Sequence, residues 1–179
     1  MIFIKINKFM IEPILIKSKI YNDDRGYFLE VFKNDNKLLN KFKFIQDNVS
    51  YSKKGVVRGV HYQLKKPQTK FITIISGKIY DVCIDLRNKS KNFGKKYVFN
   101  MSDNKNNQLL VPKGFAHGFQ CLSDFAIIHY KCDNYYDSDD QYGVIFNDNT
   151  LNIKWPLKQK KISDKDKNLP LFNKNFKYF

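Results

Sequence analysis

Residues 78–86, KIYDVCIDL, decide the fold. Successive side chains on an extended strand point to opposite faces. Tyr80, Val82, Ile84 and Leu86 therefore share one face, and Asp81, Cys83 and Asp85 share the other. Two carboxylates on one side of an otherwise core-like strand conflict with ordinary burial. A strand whose polar side chains point into a barrel resolves the conflict. An edge strand with one wet face resolves it equally well.

Working outward, the neighbouring stretches read the same way. VVRGVHYQL, KFITIISG, KKYVFNM, NQLLVP, FAHGFQCL and FAIIHYKC are short and rich in β-branched or aromatic residues. Turn formers separate them: Gly55, Pro67, Ser76-Gly77, Asn88 to Asn92, Pro112 to Gly114 and Ser123-Asp124. Seven short strands so spaced predict an all-β sandwich or barrel. The helical signal is confined to a pattern from Asn34 to Phe44, with Leu38, Leu39 and Phe42 apolar. The Lys-rich stretch from Lys158 to Phe179 is expected to be irregular wherever it does not dock on the barrel. No repeat and no Ser/Gly linker interrupts the chain. Its 179 residues suit one domain, 1–179, with enough length to bury a core without disulfides or metal.

Composition narrows the class further. Apolar residues at 42% and aromatics at 16% exceed what a disordered chain carries. No apolar run approaches the roughly 20 residues of a membrane span. The start of the chain lacks the apolar core of a secretory signal. Three cysteines, Cys83, Cys121 and Cys132, form no CxxC pair and read as reduced thiols, so a cytoplasmic location is expected. The net charge of +15 raises nucleic-acid binding. Against it, the lysines are scattered, and only Arg25, Arg58 and Arg87 supply the guanidinium that pairs bidentately with phosphates and bases. A Lys-rich solvated surface is the favoured account, with neither nucleic acid nor membrane as partner.

The candidates for chemistry are few. His61, His117 and His129 are the histidines. Alternation places His129 and Tyr130 on opposite faces. His61 and His117 alone offer themselves as metal ligands, and two are too few for tetrahedral or facial coordination. No metal is expected. No GxGxxG, P-loop or GxSxG pattern occurs.

Six segments, in order, resemble the dTDP-4-dehydrorhamnose 3,5-epimerase family: NDDRGYFLEVF (22–32), FIQDNVSYSKKGVVRGVHYQ (44–63), GKIYDVCIDLR (77–87), LLVPKGFAHGFQCLSD (109–124), YKCDNYY (130–136) and ISDKD (162–166). The strings RGVHYQ and PKGFAHGF are the most specific. The resemblance runs from about residue 15 to about 170. It implies a cupin-type double-stranded β-helix, a jelly-roll barrel with a few short helices. It also implies a homodimer with exchanged N-terminal strands, no metal, no cofactor, and a nucleotide-diphosphate 4-keto sugar as substrate.

The resemblance further assigns residues. His61 resembles the general base, Asp166 the carboxylate that orients it, and Tyr130 the acid on the opposite ring face. Lys70 resembles the cation near the enolate oxygen, and Asp81 a supporting carboxylate. Arg25, Glu30, Gln46, Asn48, Arg58, His117 and Lys165 match positions that line the substrate site, and Tyr136 matches one at the nucleobase. Two departures stand out: Thr69 precedes Lys70 where the family usually has Gly, and Gln141-Tyr142-Gly143 stands where it often has an acid–Arg pair before Gly.

The chemistry implied is coherent. Protons on C3 and C5 of a 4-keto sugar are acidified by the carbonyl, so inversion needs a base, an acid across the ring and charge stabilisation at the enolate oxygen. The rivals are a single-centre epimerase, an enzyme of CDP- or GDP-linked sugars, a 3,4-ketoisomerase and a non-catalytic sugar-nucleotide-binding cupin. The last would have lost part of the His61, Tyr130 and Asp166 set.

Overall fold

The computed structural model describes residues 12–159 and 161–179. The N-terminal stretch 1–9, expected to form an exchanged strand, lies outside them. Twelve strands dominate. They are β1 (Ile14–Lys17), β2 (Ile20–Asp23), β3 (Gly26–Leu29), β4 (Gln46–Lys53), β5 (Val57–Gln63) and β6 (Lys70–Ser76). After these come β7 (Lys78–Asp85), β8 (Lys96–Ser102), β9 (Asn107–Val111), β10 (Phe115–Cys121), β11 (Phe125–Cys132) and β12 (Gln141–Gly143). One short helix, α1 (Asp164–Lys167), follows. No helix among the described residues is long and apolar enough to cross a membrane.

Two five-stranded antiparallel sheets carry the chain, in the orders β1-β9-β6-β11-β4 and β12-β5-β10-β7-β8; β2 and β3 form a separate hairpin. The two large sheets pack face to face. Ile72, Ile74, Leu109, Val111 and Ile128 of the first share one core with Ile79, Cys83, Met101 and Phe119 of the second. The strand pattern leaves an all-β sandwich or barrel open, and this is the cupin-type barrel that the family resemblance implies.

The strand that opened the argument lies between β10 and β8, so it is no edge strand. Asp81, Cys83 and Asp85 are all completely buried, and so are Val82, Ile84 and Leu86 on the other face. That second face is covered because the C-terminal tail docks on it. Phe172 and Tyr178 pack with Val60, Val82, Ile84 and Leu86. Asn88 Oδ1 accepts from the backbone N–H groups of Tyr178 and Phe179 and pins the tail. Among its described residues the tail carries no strand or helix beyond α1, only a single parallel bridge from Lys161 to Val56.

The expected helix from Asn34 to Phe44 is corrected to a single 3-10 turn, Leu39–Lys41. Asn36 Oδ1 accepts from the backbone N–H groups of Leu38 and Leu39, which diverts the donors a helix would need. The apolar side chains of this stretch are buried all the same. Leu39 and Phe42 cover Phe71 and Leu110 on the outer face of the first sheet.

Candidate active site

Inside the barrel lies a cavity of about 890 Å³. His61, on β5, faces it. Its Nε2 stands 2.6 Å from Asp166 Oδ1, across 105 residues of sequence. An ionised carboxylate only accepts, so Nε2 carries the proton and Nδ1 keeps a free lone pair. The other carboxylate oxygen accepts from the Gly59 N–H at 3.2 Å. Burial alone would raise the Asp166 carboxyl, but the hydrogen bonds it accepts from His61 and the Gly59 N–H outweigh this and hold it below the usual range.

Local structure explains how a residue of the tail reaches β5. The backbone N–H of Val57 donates to the Lys161 carbonyl, which brings the incoming segment against the start of the strand. Ser163 then caps α1, its hydroxyl accepting from the Asp166 N–H at 3.1 Å. The strand neighbours also sit close. Gly59 has φ +109°, and a Cβ there would lie 2.7 Å from Gly118 Cα and from the His117 carbonyl oxygen. Only glycine lets β5 and β10 approach so nearly.

A second imidazole–carboxylate pair stands beside the first. His117 on β10 is the register partner of His61. Its Nε2 donates to Asp81, 2.8 and 3.0 Å from the two carboxylate oxygens. Cys83 Sγ also donates to Asp81, at 3.7 Å. Burial, with Asp81 adding to it, pushes the Cys83 thiol well above its usual range. Asp81, Cys83 and His117 form the one cluster of potential metal donors among the described residues. Hydrogen bonding within the trio accounts for it, and a protonated thiol is a poor ligand.

Lys70 and Tyr130 complete the polar lining. Burial lowers the Lys70 ammonium from its usual range, while nearby Cys132, Cys83 and Asp81 pull the other way. Burial raises the Tyr130 phenol, so it stays protonated at neutral pH. Tyr130 is the cross-strand neighbour of Asn48 and Ile72. Toward the mouth, Tyr136 is half exposed. Its hydroxyl donates to Gln141 Oε1 at 2.5 Å and its N–H to Gln46 Oε1 at 2.8 Å. Gln46 Nε2 donates in turn to Asn48 Oδ1.

Of the residues singled out from the sequence, His61, Tyr130, Asp166, Lys70, Asp81, Gln46, Asn48, Arg58, His117, Tyr136 and Lys165 all line this one cavity. Arg25 and Glu30 do not join it within a single chain. Arg25 tips the β2–β3 hairpin, its side chain 90% exposed and paired with Asp23 at 2.6 Å. His129 points outward to Asp47. The sequence reasoning missed Ser50 and Ser52, which also line the cavity. Alternation along QDNVSYSK sets both on the face of Gln46 and Asn48 and could have found them.

Similarity to known proteins agrees with this geometry. A family profile described as dTDP-4-dehydrorhamnose 3,5-epimerase matches residues 9–174. The enzyme of that name from Methanothermobacter thermautotrophicus is 41% identical, over 87% of this chain and 86% of its own. A crystal structure of the Bacillus anthracis epimerase with TDP and PPi bound superposes with a TM-score of 0.84 at 44% identity, covering 89% of this chain and 94% of that one. The Legionella pneumophila epimerase in complex with dTDP-4-keto-L-rhamnose gives 0.85 at 40% identity, covering 89% and 87%. With the match spanning nearly the whole barrel and every motif of the cavity, the chain belongs to the dTDP-4-dehydrorhamnose 3,5-epimerase family.

Proposed function

We propose that this protein epimerises C3 and C5 of dTDP-4-dehydro-6-deoxy-D-glucose, giving dTDP-4-dehydro-L-rhamnose. The observation that carries the proposal is the 2.6 Å His61–Asp166 pair facing one cavity with Tyr130 and Lys70. In each inversion, the Nδ1 lone pair of His61 takes the proton α to the ketone, and Asp166 stabilises the imidazolium that forms. The electron pair of the broken C–H bond moves onto the carbonyl oxygen. The Lys70 ammonium, part of the cavity lining, stabilises the enolate. The electrons return to carbon, and Tyr130 delivers a proton to the opposite face. Solvent then reprotonates the phenolate and takes the proton from the His61 imidazolium, so both groups are reset for the next inversion. The substrate's own ketone is the electron sink, so this chemistry calls for no redox cofactor.

Tyr136 serves the nucleobase. An exposed flat ring at the cavity mouth, anchored by Gln141 and Gln46, suits stacking. Arg58 and Lys165 face the diphosphate. The working form is a homodimer. Residues 32–44 cover one part of the first sheet's outer face, but Val49, 70% exposed, Tyr51, 53% exposed, Ile75 and Phe125 lie bare on the rest. The rings of Tyr51 and Phe125 stack there at 5.7 Å. A second copy covering this face would bring the hairpin of Arg25 and Glu30 toward the neighbouring cavity. Three unpaired, buried thiols fit a reducing cytoplasm.

The test is incubation with dTDP-4-dehydro-6-deoxy-D-glucose in D2O, following deuterium at C3 and C5 by NMR. Wash-in at both carbons, lost in His61→Ala, is the expected result. Wash-in at one carbon would reduce the enzyme to a single-centre epimerase. None with this sugar, but exchange with a CDP- or GDP-linked one, would reassign the nucleotide.

A further inference from the structure

The inward face of β4 carries a row of polar side chains: Gln46, Asn48, Ser50 and Ser52. Three of the four have partners within the protein. Gln46 bonds Asn48 and the Tyr136 N–H. Asn48 also approaches Cys132 Sγ. Ser52 Oγ accepts from Arg58 Nε at 2.9 Å. Ser50 Oγ is buried and has no hydrogen-bond partner among the described residues. A buried hydroxyl left unpaired destabilises the fold it sits in, and such groups are rare in native proteins.

Position says what the hydroxyl faces. Ser50 is the register partner of Ile128, and Asn48 that of Tyr130. Ser50 therefore lies one step along the cavity wall from Tyr130, on its diagonal, within reach of whatever Tyr130 touches. Ile128, buried and apolar, stands directly opposite and offers it no bond.

We propose that Ser50 is a substrate-binding residue, whose hydroxyl bonds an oxygen of the sugar ring and so holds the ring against Tyr130. This rests on the epimerase assignment and names a contact within it. The free protein carries an unsatisfied group that the bound sugar satisfies. That makes a signature no structural role shares, because activity and stability move differently when the hydroxyl is removed.

The experiment compares wild type with Ser50→Ala on three measurements: kcat/KM for the 4-keto sugar nucleotide, Kd for dTDP alone, and Tm. The expected result is a roughly three- to tenfold fall in kcat/KM, the loss typical of one neutral hydrogen bond. Kd for dTDP stays within twofold, since the nucleotide lacks the sugar. Tm stays equal or rises. A kcat/KM within twofold of wild type overturns the proposal. So does a dTDP affinity that falls with kcat/KM, which would place the hydroxyl on the diphosphate. A lowered Tm also overturns it, because the hydroxyl would then have a partner in the free protein. If wild type itself shows no deuterium exchange at C3 or C5, the epimerase assignment fails first, and separately.

Discussion

Lys70 is a cation in a poor place for one. Burial lowers its ammonium below the usual lysine range, and the carboxylate of Asp81 only partly restores it. A lowered value means that the proton leaves at a lower pH than for an exposed lysine, whose pKa is about 10.4. Activity that depends on the charged form is full below that pH and falls as pH rises through it. The alkaline limb of kcat is therefore expected below the ordinary lysine range. Lys70→Arg, whose guanidinium keeps its charge, should move that limb upward even if the maximum rate falls; a full pH–rate profile of both proteins checks it. Only the family resemblance singled out Lys70 in the sequence, since it is one lysine among many and its neighbour Thr69 departs from the family. His61 was easier to read, because its string RGVHYQ is distinctive. Asp166 was legible only through the resemblance of its string ISDKD, and the fold brings it across 105 residues to the imidazole.

At the scale of elements, α1 is the least substantial piece and among the most consequential. Four residues cannot sustain a helix by propensity. The Ser163 cap and the Lys161 carbonyl against Val57 hold it in place. Ser163→Ala is expected to lower stability by about 1 kcal/mol. It should lower kcat more than it changes KM, because Asp166 loses its seat while the cavity mouth is untouched. Urea titration and steady-state kinetics on one preparation test both. Strands were legible where β-branched and aromatic residues recur on at least one face, as in β7. The strand β4 was not, because its apolar residues, Val49 and Tyr51, face out and its polar ones face the cavity. The pattern is inverted wherever a barrel interior is a wet site instead of a core. The stretch 34–44 failed for the opposite reason: its apolar spacing is that of a helix, but Asn36 captures the backbone donors first.

For the whole molecule, the charge of +15 has a local expression. The residues lining the cavity include Lys53, Lys54, Arg58, Lys70, Lys161 and Lys165, against Asp81 and Asp166 as the acids, each of which is paired with a histidine. A sugar nucleotide carrying a diphosphate is steered toward such a mouth, and salt screens the attraction over about 10 Å at 0.1 M. We expect kcat/KM to fall severalfold between about 20 and 300 mM salt while kcat holds nearly constant. A kcat/KM indifferent to salt would show that the lysines serve solubility alone. The dimer can be tested at the same scale: Val49→Lys on the bare sheet face should yield monomers by light scattering, with the barrel's circular dichroism retained.

The position of Asp166 has one more consequence. A ribosome adds about 5–20 residues per second, starting from the N-terminus. Both sheets are complete at Gly143, well before the aspartate is made. A chain that terminates before Asp166, or loses its end to a protease, leaves His61 without its carboxylate and Val60, Val82, Ile84 and Leu86 without the cover of Phe172 and Tyr178. Competence for catalysis and the cover of the second sheet's outer face are thus conferred together, by a segment made after both sheets.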